Sequence, residues 1–189
     1  IGGTLKNSTL ILEKAVLEYQ DALRYDQDPA IYFAISKCYS RLSKHSRAIE
    51  AAREAVNLAP DELTYRRNLA DVYALAFEFD AAAQQFEELI KRDSSQVDAW
   101  YNLARLNQGR RPLRALEVYE KIVDRFGPEW DVLLQIADLY NKLEKYDRAA
   151  WALRQMVQLD PSNKALKKTL AQTYASGSAY DSALAAYTE

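Results

Sequence analysis

The side chains of this chain that could carry out a reaction stand alone. His45 is its one histidine and Cys38 its one cysteine. A metal site or a nucleophile–base pair needs such groups in company, so His45 reads as a packing residue at a turn. Cys38 has no partner for an intrachain disulfide. No glycine-rich phosphate loop, zinc-binding helix or nucleophile elbow occurs. Glu87 and Glu88 are adjacent on an amphipathic stretch and read as solvated. The expectation is a non-enzyme without metal or cofactor.

Residues suited to recognition are more numerous. Phe33, Lys37 and Arg41 recur at helical spacing, as do Arg67, Asn68 and Asp71, then Asp98, Tyr101, Asn102 and Arg105. Leu134, Gln135, Asp138 and Asn141 continue the pattern, and Lys168 and Gln172 close it. An amide both donates and accepts, so Asn68 and Asn102 can each pair both polar groups of an extended backbone. Apolar Phe33, Tyr101 and Leu134 among amides and arginines point to a peptide-binding surface. A separate basic cluster, Arg105, Arg110, Arg111 and Arg114, surrounds an irregular turn. Most such clusters are solvated; a docking role would make binding weaken steeply with salt.

The elements that must position these side chains repeat. Ala48, Ala82, Ala115, Ala149 and Ala183 are spaced 34, 33, 34 and 34 apart, and Ser36, Ala70, Ala104, Ala137 and Ala171 are spaced 34, 34, 33 and 34 apart. Such self-similarity describes a stack of one unit. Within residues 63–96, Arg66, Leu69, Ala70 and Tyr73 share one helical face, and Phe79, Ala82, Phe86 and Leu89 share another. The turn Phe77-Glu78-Phe79-Asp80 separates them, with Asp80 as the expected N-cap of the second helix. Small residues let the two helices approach; Ala70 and Ala82 are expected to meet there. A single pair leaves one apolar face wet and must stack on the next.

Composition agrees. Apolar residues make up 49% and charged residues 28% of the chain, with only 5 glycines and 5 prolines, which suits helices on short connections. The net charge is −2, without the positive excess that binding to nucleic-acid phosphates requires. No apolar run reaches the length of a membrane span. The expectation is a soluble, cytoplasmic protein, with a periplasmic location or an anchored parent protein as the alternative. The opening Ile1-Gly2-Gly3-Thr4 has no initiator Met or apolar signal core, and residues 1–8 read as a linker or boundary remnant.

The unit resembles the tetratricopeptide repeat. Residues 29–62 carry its pattern in Tyr32, Ile35, Ser36, Tyr39, Ala48, Ala55 and Pro60, and 97–129 in Trp100, Leu103, Ala104, Ala115 and Tyr119. Residues 130–163 carry it in Ile136, Ala137, Tyr140, Tyr146, Ala149 and Pro161, and 164–189 in Leu170, Ala171, Tyr174, Tyr180, Ala183 and Tyr187. Ala15, Tyr19 and Ala22 fit the second helix of a partial unit over 9–28. The resemblance implies an all-α fold, a right-handed α-α superhelix of antiparallel helix pairs. About five units, partial at both ends, would form one solenoid domain. It places the recognition stripe on the concave groove, and it implies a non-catalytic scaffold for a peptide or protein partner. Alternatives are a strut that self-associates through the solenoid ends, or a regulatory region of a larger protein with a catalytic domain elsewhere. Starting with half a unit and stopping within a helix reads as a piece of a longer array.

Departures from the family pattern are local. Leu89, Ile122 and Met156 are larger than the usual alanine matched by Ala55, and Asn107 replaces an aromatic. Gln108-Gly109-Arg110-Arg111-Pro112 is a turn one residue short, with Gly109 as the expected helix C-cap and Pro112 opening the next helix. Chaperone-binding relatives hold a carboxylate with a clamp whose positions here are Phe33, Lys37, Asn68, Asp98 and Asn102. Only Asn68 fits, and Asp98 has the wrong sign.

Overall fold

The computed structural model describes residues 2–188, with side chains over 7–186. Among these residues every regular element is a helix: α1 (Gly2–Ala22), α2 (Pro29–Arg41), α3 (His45–Leu58), α4 (Leu63–Leu75), α5 (Phe79–Arg92), α6 (Val97–Gln108), α7 (Pro112–Phe126), α8 (Trp130–Lys142), α9 (Tyr146–Leu159), α10 (Lys164–Ser176) and α11 (Tyr180–Thr188). Each interval from 29–62 to 164–189 holds one helix pair. Ile1 and Glu189, and the side chain of Tyr187, lie outside the described residues.

Helix α1 differs from the sequence reading. It runs from Gly2, so residues 2–8, expected as a linker, are helical. After its two glycines the stretch Thr4–Ser8 holds no helix breaker, and it continues the helical Leu10–Ala22 segment without a stop.

The first helix of a pair starts on a side-chain cap where one is available. Asp28 accepts from the Ala30 N–H at 2.8 Å with Pro29 at the first helical position, and Asn163 accepts from the Leu166 N–H at 3.0 Å. Glu62 accepts from the Thr64 N–H at 3.1 Å, and bonds to Thr64 hold its carboxyl below the usual range.

The second helices start differently. Ser43, Phe77, Glu144 and Ser178 all have a left-handed backbone, with φ of 55°, 61°, 56° and 62°. The N–H after each bonds back five residues: Lys44 to the Tyr39 carbonyl, Glu78 to Tyr73 and Lys145 to Tyr140, each at 2.9 Å. This is the Schellman closure, which turns the chain and leads straight into the next helix. The N-cap of α5 is therefore Glu78, without a side-chain bond, and Asp80 sits in the first turn rather than at the cap. In the short third turn, Gly109 has no left-handed φ. The Arg110 and Arg111 N–H groups instead both bond to the Asn107 carbonyl, and Pro112 opens α7.

The chain divides into two compact units, residues 1–102 and 103–189. In the first, Ala48, Ala52, Ala55, Ala70, Ala82 and Leu89 have no exposed surface, and Phe86 is 1% exposed. In the second, Ile122, Leu133, Ile136 and Ala149 are equally sealed, with Met156 at 1%. The large residues at the usual alanine position are thus accommodated within each core.

Tyrosines tie successive pairs together. The Arg53 Nε donates to the Tyr73 hydroxyl at 2.7 Å, and the Tyr140 hydroxyl donates to Glu120 Oε1 at 2.6 Å. Burial, helped by that carboxylate, pushes the Tyr140 phenol up to about 12. Asn107 stands where these tyrosines would be and turns inward, its Nδ2 donating to the Leu103 carbonyl at 2.8 Å.

Candidate peptide-binding face

Within residues 1–102 the stripe side chains divide into those exposed and those already engaged. Phe33 is half-buried; its ring lies 5.4 Å from that of Tyr65, and Lys37 Nζ sits 5.9 Å from the Phe33 centroid. Lys37 and Arg41 are exposed one helical turn apart. Arg67 is committed: it pairs with Asp98 Oδ2 at 3.1 Å and also donates to Gln96 Oε1. Asp71 and Asp98 are exposed, whereas Tyr101 and Asn102 are half-buried.

Asn68 corrects the sequence reading. It is 6% exposed, and its Nδ2 donates at 2.8 Å to the hydroxyl of Ser36, which has no exposed surface. The amide expected to meet a ligand instead joins α4 to α2. This accounts for serine at a rung that is otherwise alanine, because only the hydroxyl gives the buried amide an acceptor. Tyr65, which packs on Phe33, lies off the expected stripe and was not legible from its spacing.

An open hollow of about 540 Å³ runs along the ends of α2 and α4, with Lys37, Cys38, Arg41, Asp71, Val72 and Leu75 in its wall and Leu12 of α1 at its edge. Burial raises the Cys38 thiol, partly opposed by Arg41. A second hollow, about 650 Å³, opens between α1, α2 and α3, with the Glu13–Lys44 pair (2.8 Å) on its rim. Ala51 and Tyr32, both in its wall, stand where the next pair has Gln85 and Arg66. There Arg66 donates to Gln85 Oε1 at 3.0 Å.

Within residues 103–189, Leu134 is 45% exposed, and Arg105, Lys168 and Gln172 are exposed. Asn141 is half-buried. Asp138 accepts from Lys142 Nζ at 2.6 Å, and Gln135 accepts from Gln108 Nε2 at 2.6 Å. A hollow of about 580 Å³ lies between Arg105, Gly109, Leu139 and Lys142. Arg114 of the basic cluster is paired with Glu117 at 2.8 Å, which reduces the cluster's free charge.

His45 begins α3 half-buried, with its Nδ1 sealed from solvent and without a hydrogen bond. Among the described residues no group of three His, Cys, Asp or Glu side chains is arranged to hold a metal ion. No helix among them is long and apolar enough to cross a membrane.

Tetratricopeptide-repeat models match residues 68–129 and 134–189, and another matches 29–62. The chain belongs to the tetratricopeptide-repeat family, a family of generally non-catalytic repeat scaffolds for protein interaction. Its fold is shared with MamA from Desulfovibrio magneticus, at 17% identity and a TM-score of 0.62 over 86% of this chain and 92% of that one. YrrB, described as a TPR protein with an unusual peptide-binding site, is 18% identical with a TM-score of 0.63 over 89% and 88%. The C-terminal part of a TPR repeat-containing protein from Cytophaga hutchinsonii gives 16% and 0.68 over 96% and 75%. No curated protein matches the chain in sequence.

Proposed function

We propose that this scaffold holds a peptide or extended protein segment against the outward stripe of its first helices. The carrying observation is the contrast between the two faces of those helices. Residues such as Leu69, Ala70, Ile136 and Ala137 are at most 4% exposed, while apolar Leu134 is 45% exposed and Phe33 and Tyr101 stay half-buried. Polar neighbours on that stripe supply directional hydrogen bonds, and open apolar rings supply the anchors that dominate peptide affinity. YrrB, of like fold, is described as having a peptide-binding site. The test is selection of short peptides from a random library on the immobilised chain, followed by Tyr101→Ala and Leu134→Ala together. Weaker binding of the selected peptides is expected; unchanged affinity counts against the stripe.

A second reading, end-to-end self-association, draws on exposed apolar residues of the outer helices. Ile11 and Leu17 of α1 are 62% and 63% exposed, and Tyr180 and Leu184 of α11 are 67% and 68% exposed. Light scattering across a concentration series separates the two, since a strict monomer disfavours association.

A further inference from the structure

The turn between α4 and α5 departs from its counterparts. The left-handed position is Ser43, Glu144 and Ser178 in three turns, small or polar residues that sit in water there. In the fourth it is Phe77, 77% exposed. A bulky aromatic at positive φ is a strained outlier, and strain of this kind is kept where the residue serves a purpose. Two residues earlier, Leu75 is 51% exposed at a helix end that carries Arg41 in α2 and Lys142 in α8. Phe79 meets Phe77 edge-on at 6.0 Å, completing an apolar ridge.

Leu75, two residues before Phe77, adjoins cations. Leu75 lines the hollow between α2 and α4 together with Lys37 and Arg41. Among the described residues neither cation forms an ion pair, although they lie four residues apart on one helix, where like charges repel. Asp71, the one carboxylate in the wall, leaves the hollow net cationic. Resting on the peptide-binding reading above, we propose that this hollow takes an acidic peptide segment. The carboxylates of that segment face Lys37 and Arg41, and an adjoining large apolar side chain packs on Leu75 and Phe77. The corresponding hollow in residues 103–189 is not equivalent, since Gly109 replaces Arg41 and Lys142 replaces Leu75 and is neutralised by Asp138.

The test uses the full chain and three fluorescein-labelled peptides: one combining Glu with Leu and Phe, its Gln-for-Glu counterpart, and its Ser-for-Leu/Phe counterpart. Fluorescence anisotropy should give affinity for the first that falls about tenfold in either counterpart. Lys37→Gln with Arg41→Gln should abolish the preference for Glu over Gln. Phe77→Gly should weaken binding while raising the melting temperature, a pairing that separates a docking role from a structural one. Lys142→Gln should leave affinity unchanged. Equal binding of the Gln counterpart, full affinity in the double variant, or equal loss in Lys142→Gln overturns the proposal. If only library-selected peptides lacking acidic residues bind, and Leu134→Ala weakens them, this inference falls and the wider groove reading stands. If no peptide of any class binds, both fall.

Discussion

Gly177 and Ser178 are neighbours whose backbones ask for opposite residues. Gly177 has an ordinary negative φ, but a Cβ there would lie 2.9 Å from Tyr146 Cβ, too close for the packed turn. Ser178 has φ 62°, which glycine adopts without penalty. Gly177→Ala should therefore destabilise the chain by about 1–3 kcal/mol, whereas Ser178→Gly should stabilise it by about 0.5–1 kcal/mol. Urea melts of both variants check the pair of signs; a stabilising Gly177→Ala would refute the close approach. Tyr140 gives a pH prediction. Its phenol ionises near 12 in the folded chain and near 10 when unfolded. Between those values the unfolded state has lost its proton and the folded state has kept it, so stability falls as pH rises through that window. Melting temperatures should drop more steeply there than in Tyr140→Phe.

Helix pairing follows from the small-residue rungs. Ala70 and Ala82 have no exposed surface, so Ala82→Leu should overpack the α4–α5 crossing and cost about 1–3 kcal/mol. The pairs were readable from spacing alone, because burying one face of a helix imposes a period that survives sequence change. Turn closure was not readable. The left-handed residues are serine, phenylalanine and glutamate in place of glycine, and Gly109, which looks like a cap, has no left-handed φ. The stripe was legible as residue types but not as states. Nothing in a spacing of 32 residues announces that the Asn68 amide meets a hydroxyl on another helix. Asn68→Ala should cost about 1 kcal/mol, and Ser36→Ala, which leaves that buried amide unsatisfied, about 1–3 kcal/mol. In a double-mutant cycle the two losses should not add.

At the scale of the molecule, repeat stability is a sum of local terms and near-neighbour interfaces. Residues 1–102 and 103–189 form separate compact units, so damage in one should stay largely within it. Hydrogen exchange on Ala149→Leu should show lost protection concentrated in residues 103–189; uniform loss along the chain would mean a single cooperative block. The Ser36–Asn68 bond bears on how such an array can be inherited. Repeat genes gain and lose whole modules, and the next module carries Asn102 at the place of Asn68. Excising residues 63–96 would bring Asn102 opposite Ser36 and rebuild the same joint. Excising 29–62 would remove Ser36 and leave Asn68 without its acceptor. One deletion is silent and the other scarred, so this single hydrogen bond makes the order of the modules matter.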